Sequence, residues 1–265
     1  MSLDGSGFWI SFFLIGFSVA SLAYFIARRL KLMAIVDTIW TAGLGLSAFI
    51  YHSVAGLDSI RSWAVLLIIG IWSFRLSYHL FTDRVFKGHE DPRYQALAEH
   101  WGAKAPLNFY LLFLVQIPFI ALFLYPVSLA MQAEAAGWLW TDTLAVLIAV
   151  LAMLGEAVAD RQLARFRGDP VNKGEVCQEG LWRYTRHPNY FFEWLHWFSY
   201  VAFAWSAALS WPTLLGPLAM YIFLRYLTGV PYAERSSLKS RGDAYRRYQA
   251  TTNAFFPWIP RKQSV

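Results

Sequence analysis

Charged residues are scarce in this 265-residue chain: Asp, Glu, Lys and Arg make up 15% of it, whereas soluble domains carry about 25%. Cysteine is represented by Cys177 alone, which excludes a scaffold held by intramolecular disulfides. In contrast, 57% of the residues are hydrophobic and 18% are aromatic. A globule of this length cannot bury so much apolar surface. The composition excludes a soluble or disordered protein and predicts an all-α integral membrane protein.

The chain also lacks the short motifs of soluble nucleotide-binding and metal-binding folds. It contains neither Gly-x-Gly-x-x-Gly nor a Walker loop. The spacing of His79, His89 and His100 does not bring two ligands together on one helical face, and we predict no metal site. A soluble dinucleotide fold is therefore not indicated.

Seven windows of mainly apolar residues are each about long enough to cross a bilayer, which takes about 20 residues. We expect seven transmembrane helices in a single membrane domain. Residues 1–132 contain spans one to four and residues 133–265 contain spans five to seven. A short amphipathic stretch, Pro92–Trp101, is expected to lie on the membrane. The windows are 8–27, 33–55, 62–81, 106–131, 138–157, 191–209 and 213–229.

The basic residues lie on alternate connections between these windows. Of the 23 Lys and Arg, all except Arg61, Arg75 and Arg225 follow the first, third, fifth or seventh window. Such segments stay on the cytoplasmic side. We therefore predict an external N-terminus and a cytoplasmic C-terminus. Topology and attraction to anionic membrane lipids account for the basic loop 160–190 and tail 231–265, so no nucleic-acid partner is expected.

Ionisable residues at or inside the apolar windows are candidates for function. A charge at the bilayer centre costs about 2.5 to 3.5 kcal/mol, so such residues usually face a wet or protein-lined space. We expect spans one to four to enclose an apolar cavity with Asp37 and Arg75 near its inner end, as catalytic candidates. The alternative is that these two residues form a structural ion pair. Glu156, Glu193, His196 and Arg225 complete the set.

A polar run leads directly into the sixth window. Its proline suits the first turn of a helix, and the N-terminus of a helix attracts anions. Asn189 and Glu193 would lie one turn apart on the same face. Asp160 and Arg167 would also share a face if the fifth helix continues into the cytoplasm. The pattern predicts a pocket for a polar ring and ribose hydroxyls, with arginines holding phosphates. The run is Arg186-His187-Pro188-Asn189-Tyr190-Phe191-Phe192-Glu193.

Residues from Asp160 onward resemble the steroid 5α-reductase family, most closely a bacterial branch of uncharacterised membrane proteins of the DUF1295 type. The resemblance implies a seven-span reductase of a bacterial inner membrane that uses NADPH to reduce a hydrophobic enone or carbon–carbon double bond by hydride transfer. It implies that residues 1–132 form the substrate side and residues 133–265 the cofactor-binding half. It also implies that the cofactor is contacted by Asp160, Arg167, Asn189, Glu193 and Arg225, with Arg186, His187 and Tyr190 as neighbours. The matching pieces are Asp160-x6-Arg167, the run through Glu193 with its Gly180-Leu181-Trp182-x-Tyr184 lead-in, Arg225, Glu234-Arg235, Arg241-Gly242-x-x-Tyr245-x-x-Tyr248 and Phe256-Pro257-Trp258-Ile259-Pro260.

The chain departs from the characterised steroid reductases at several positions. Phe192 replaces the glycine that usually precedes the family's glutamate. Trp72 stands where those enzymes carry a tyrosine in span three, and span two has no Gln-Glu pair. The expected substrate is therefore a hydrophobic small molecule from the bilayer, of a sterol, isoprenoid or lipid type, rather than a steroid in particular.

A second resemblance leaves an alternative open. Membrane methyltransferases of the isoprenylcysteine and phospholipid type share the Arg-His-Pro-x-Tyr run and the Gly-x-x-Tyr-x-x-Tyr tail, and they bind S-adenosylmethionine. Their tail usually has a Glu-Glu pair, whereas this chain has Glu234 followed by Arg235. The pairing of Asn189 with Glu193 and the spacing of Asp160 and Arg167 favour the reductases.

Overall fold

A computed structural model describes residues 5–82, 86, 88, 90–133, 135–205 and 210–261 of the chain. His89 and Leu209, which enter the predictions above, lie outside these residues. The described residues form helices and connecting loops without a β-strand. The α-helices are α1 (Gly5–Leu30), α2 (Ile35–Val54), α3 (Ile60–Leu80), α4 (Pro92–Trp101), α5 (Ala105–Gln132), α6 (Trp140–Gly168), α7 (Pro188–His196), α8 (Phe198–Ala204), α9 (Leu215–Ile222) and α10 (Val230–Thr251).

Among the described residues, five helical segments have the length and composition to cross a membrane. The protein is thus a multi-pass membrane protein. The five segments overlap the first, third, fourth, fifth and seventh windows of the sequence. They are Gly7–Leu30, Ile60–Leu80, Pro92–Gln132, Trp140–Gly168 and Trp211–Thr251.

The second and sixth windows differ from these five. A helix of 20 residues, α2, forms over the second window. The described part of the sixth window consists of two short helices, α7 and α8, instead of the single helix that its apolar composition predicts. They meet at Trp197, whose backbone N–H bonds to the Trp194 carbonyl only three residues back (3.2 Å). This tighter turn leaves no mark in the hydropathy of the sequence.

The chain divides into two compact units. The first comprises Met1–Trp138 and Phe203–Thr213, and the second comprises Leu139–Ala202 and Leu214–Val265. In the first unit, α2 packs against α3 and α5, and α1 packs against α5. A β-carbon added to Gly45 in α2 would lie 2.3 Å from the Ser73 hydroxyl oxygen of α3. The small residue lets the two backbones approach closely, as is common between membrane helices.

In the second unit, α6 presents two different faces. Its buried alanines recur at intervals of four, three and seven residues, and α6 packs against α7. Its large apolar side chains are exposed, as expected for a surface that meets lipid. The buried set is Ala145, Ala149, Ala152 and Ala159, and the exposed set includes Leu147, Leu151 and Leu154.

Gly155 explains how the second unit accommodates Phe192. A β-carbon built on Gly155 would lie only 2.4 Å from the Phe192 ring. The phenyl group of α7 therefore fills the space left by the missing side chain in α6. The residue that departs from the family pattern is compensated on the facing helix.

Candidate functional site

A segment near the C-terminus holds residues 184–187, which lead into α7. We call residues 184–187 the approach to α7. We call residues 253–261 the C-terminal strap. The Asn253 carbonyl accepts a hydrogen bond from the backbone N–H of Arg186 (2.9 Å), and the N–H of Trp258 donates to the Tyr184 carbonyl (2.9 Å). The strap thus runs alongside the residues that lead into the predicted pocket.

Arg186 forms a clamp between this approach and α10. Its Nε donates to Glu234 Oε1 (2.7 Å), and its terminal nitrogen donates to the carbonyls of Gln249 (3.2 Å) and Thr252. The side chain is only 10% exposed. A guanidinium with this many acceptors holds protein segments together, so its first role is structural.

Glu234 also lies beside His187, whose Nε2 is 3.5 Å from Glu234 Oε1. Glu234 is in the polar helix α10, beyond the apolar window 213–229. Burial would raise its pKa, but hydrogen bonding to His187 and Arg186 outweighs burial and lowers the pKa to about 2. Burial lowers the pKa of His187, although Glu234 opposes that shift. The cluster therefore holds an ionised carboxylate and favours a neutral imidazole.

A cavity of about 240 Å³ opens beside this cluster, between the end of α6, the loop before α7, and α10. Five of the eight residues that the sequence assigns to the cofactor line it. These are Arg167, Arg186, His187, Asn189 and Tyr190. The His187 and Tyr190 rings are stacked, with centroids 5.3 Å apart and an interplanar angle of 8°. They add a flat surface to the wall.

Asn189 and Asp160 are joined directly. The Asn189 side-chain nitrogen donates to Asp160 Oδ1 (3.2 Å). This contact exists because α6 continues to Gly168, well beyond its apolar window, as the sequence predicts. Pro188 occupies the first turn of α7, also as predicted, and places Asn189 at the start of that helix.

Glu193 and Arg225 are not among the residues that line this cavity. Glu193 follows Asn189 by one turn of α7 and is buried, at 8% exposure. Arg225 sits in a single π-helical turn, Phe223–Leu227, with its guanidinium 5.2 Å from the centre of the Tyr226 ring. Its charge also acts on His187, so it belongs to the same electrostatic neighbourhood.

Two guanidiniums with like charge face the cavity. Arg167 lies near the end of α6, beyond the apolar window, and Arg241 lies on α10. Burial lowers the pKa of Arg167, and the charge of Arg241 lowers it further. Arg241 is held in place because its Nε donates to the Glu175 carbonyl (2.8 Å). An anion between the two side chains would remove this repulsion.

Sequence reasoning did not assign Arg241, Tyr245, Tyr248 or Cys177 to the site, yet all four line the cavity. Arg241 and the two tyrosines were visible only as part of a tail motif. They come together because α10 is kinked at Gly242, where φ is +51°. Glycine adopts this conformation without strain. Burial raises the pKa of Tyr245 to about 12, and burial also raises that of Cys177, so neutral side chains are favoured.

The two catalytic candidates lie in the first unit. Asp37 accepts hydrogen bonds from Arg93 (2.8 Å) and from the Tyr94 hydroxyl (2.7 Å). Both donors belong to α4, which spans Pro92–Trp101 as predicted. Arg75 is a partly buried residue of α3. The sequence suggested Arg75 as the partner of Asp37, and the structure adds a partner that it did not indicate, Arg93.

Comparison with known proteins identifies the family to which this chain belongs. The family described as Protein of unknown function (DUF1295) matches residues 23–252. An uncharacterised protein of Schizosaccharomyces pombe is 25% identical over 277 aligned positions, which cover 92% of this chain and 78% of the yeast protein. No solved structure matches. The chain belongs to the DUF1295 family, which is part of the steroid 5α-reductase-like superfamily.

Proposed function

We propose, from the membership of this chain in the DUF1295 family, that it is an NADPH-dependent membrane reductase acting on a hydrophobic enone or carbon–carbon double bond. One observation carries the proposal. Residues that the resemblance assigns to the cofactor come from separate parts of the chain, and five of them line a single cavity. The substrate would be a sterol-, isoprenoid- or lipid-like molecule taken from the bilayer.

The chemistry of the cavity fits a phosphorylated dinucleotide. Arg167 and Arg241 offer two guanidiniums to phosphate oxygens, and their mutual repulsion is relieved by an anion. The stacked rings of His187 and Tyr190 offer a surface to a planar group. An additional phosphate favours NADPH over NADH at a site with several arginines.

When bound, NADPH would supply the hydride for the reduction. The protein's own contributions are binding and orientation. Asp160 holds the Asn189 amide in a fixed direction at the start of α7. Arg186 and Glu234 keep α10 against the approach to α7, which keeps Arg241 beside the cavity. The buried carboxyl of Glu193 and the guanidinium of Arg225 are the remaining proposed contacts.

On the substrate side we propose Asp37 and Arg75 as the residues that act on the reacting group. The hydrogen bonds from Arg93 and Tyr94 hold the Asp37 carboxyl in place. Asp37→Asn tests this role. Loss of turnover with unchanged folding and cofactor affinity would support it, whereas full activity would remove Asp37 from the mechanism.

The proposed topology has seven spans, an external N-terminus, and the site on the cytoplasmic face of a bacterial inner membrane. The distribution of basic residues supports it. Cysteine variants near Lys173, treated with an impermeant reagent, test it directly. Labelling from outside intact cells would overturn the orientation.

Calorimetry with NADPH, NADH and S-adenosylmethionine on detergent-solubilised protein tests the function. Charge-assisted hydrogen bonds contribute about 1.5 to 3 kcal/mol, so Arg167→Ala should weaken NADPH binding roughly ten- to a hundredfold. Arg165→Ala is the matched control, because Arg165 is exposed near the same end of α6 and does not line the cavity. Unchanged NADPH affinity in Arg167→Ala would contradict the proposal.

The same experiment addresses the methyltransferase alternative. Binding of S-adenosylmethionine in place of NADPH would assign the cavity to methyl transfer. The tail tyrosines Tyr245 and Tyr248, which both protein classes share, line the cavity in either case. The pairing of Asn189 with Glu193 and the spacing of Asp160 and Arg167 belong to the reductase pattern and favour NADPH.

A further inference from the structure

The C-terminal strap holds two large apolar side chains in an exposed position. Trp258 is 70% exposed and Ile259 is 76% exposed. Their backbone is nevertheless tied down, because Trp258 N–H bonds to the Tyr184 carbonyl (2.9 Å) and Arg261 N–H bonds to the Thr251 carbonyl (2.8 Å). We call Trp258 and Ile259 the apolar tip. Exposed apolar side chains on a fixed backbone are typical of a surface that contacts a membrane or another protein.

The start of the strap shows where this tip lies. The Phe256 ring stacks on Tyr221 of α9, with centroids 5.8 Å apart, and packs edge-on against Trp194 of α7 (5.4 Å). Trp194 lies near the start of the sixth apolar window, 191–209, directly after the polar run that leads into α7. Trp258 follows Phe256 by two residues in the strap. The tip is thus adjacent to the level at which apolar helices leave the hydrocarbon, where tryptophan is enriched.

Basic side chains accompany the tip. Arg261 follows Ile259 after one proline, and it lines a groove of about 410 Å³ together with Arg247 of α10. Thr251, Gln178 and the acidic residue Glu175 also line this groove. Both arginines are exposed. Two guanidiniums next to apolar anchors match the negative phosphate of an anionic lipid headgroup.

We infer that the C-terminal strap is a membrane anchor. Trp258 and Ile259 enter the interfacial layer of the bilayer that the protein spans, and Arg247 and Arg261 bind the phosphate of an anionic phospholipid beside them. The inference is independent of the proposed reductase activity, because it requires neither a cofactor nor turnover. It has a consequence for the site, since the same strap holds the approach to α7.

Fluorescence quenching in nanodiscs tests the apolar contact. The environment-sensitive probe NBD is placed at Ile259→Cys or, as a control, at Val171→Cys, both in the full-length Cys177→Ser protein. Val171 is an apolar residue of similar exposure, at 85%, in the polar turn after α6. A lipid with a nitroxide at the headgroup should quench the probe at 259 strongly and blue-shifted emission should accompany it. Quenching no stronger than at 171 would overturn the inference.

The lipid headgroup contact is tested by native mass spectrometry of protein from nanodiscs containing phosphatidylcholine and phosphatidylglycerol. Each arginine near an anionic surface contributes a factor of about five, so Arg247→Gln and Arg261→Gln should each reduce the preference for phosphatidylglycerol by about that factor. Arg246→Gln is the control, because Arg246 is paired with Asp243 (2.7 Å). An unchanged preference in both test variants would refute binding of the anionic lipid.

Discussion

The charged residues of the two units are arranged in opposite ways. In the first unit, Arg93 forms salt bridges with Asp37 (2.8 Å) and with Asp91 (2.9 Å). In the second unit, the strongest neighbouring charge on Arg167 is that of another arginine, Arg241. The first cluster contains the counter-charges that it needs, whereas the second places like charges around a cavity.

This difference separates a cluster whose charges are paired within the protein from a cluster whose charges are relieved by a bound anion. A charge that has an opposite charge in hydrogen-bond contact is satisfied before any ligand arrives. Like charges that share a cavity raise the free energy of the empty protein and lower it when an anion binds. Within the second unit both kinds occur side by side, because the Arg186–Glu234 pair adjoins the Arg167–Arg241 pair.

Glu234→Ala should give the largest loss of stability. It leaves the buried Arg186 guanidinium without its carboxylate, and removal of one partner of a buried pair typically costs about 3 to 5 kcal/mol. The thermal midpoint in detergent measures the loss. Asp243→Ala is the control, because its partner Arg246 is exposed and such pairs contribute little. Equal shifts in the two variants would contradict a structural clamp.

Gly155→Ala provides an uncharged change for comparison within the same unit. The added methyl group would overlap the Phe192 ring, and overpacking costs about 1 to 3 kcal/mol. Phe192→Gly should lower the thermal midpoint less in the Gly155→Ala background than in the original chain, because there it also removes the overlapping ring. A double variant as unstable as the sum of the single variants would rule out the steric explanation.

Arg93→Met and Arg241→Met test the comparison most directly. Loss of Arg93 should lower the thermal midpoint modestly, by an amount equivalent to about 1 to 2 kcal/mol, because Asp37 and Asp91 lose a partly exposed partner. Loss of Arg241 should leave the midpoint of the ligand-free protein unchanged or higher, and it should weaken NADPH binding. A large destabilisation by Arg241→Met would show that the second cluster is structural.

Mild acid should have the smallest effect. The pKa of Glu234 is lowered from its ordinary value of 4.5 to about 2, so its contribution to stability is fully present above about pH 4.5. That contribution decreases as the pH falls towards 2. Over the first pH unit the loss should remain below about 1.4 kcal/mol. Unfolding measured from pH 6 to 3 checks this, and Glu234→Gln should remove the corresponding part of the pH dependence.

Local sequence signals predicted much of this structure. Asp91 and Pro92 mark the start of α4, whose bounds agree with the amphipathic stretch. Pro188 marks the start of α7. The seven-residue spacing of Asp160 and Arg167 fits the polar end of α6, which continues to Gly168. These features depend on residues close together in the chain, so that periodicity and capping preferences reveal them.

Features that depend on distant residues could not be predicted. The bond from Arg93 to Asp37 joins residues 56 positions apart, and Arg186 meets Glu234 across 48 positions. Arg241 reaches the cavity through a kink at Gly242 that a helical pattern conceals. Each depends on how helices pack, and a single sequence does not encode that packing in its hydropathy.

The hydrogen bonds between the C-terminal strap and the approach to α7 also bear on biosynthesis. Arg186 depends on acceptors at Gln249, Thr252 and Asn253, which leave the ribosome more than 60 residues after it. Until they emerge, a nascent chain can pair this guanidinium with Glu234 but lacks the carbonyls that complete its hydrogen bonding. The site is therefore assembled late in synthesis, after the helices that surround it have been made, and nascent chains stalled before residue 249 should lack it.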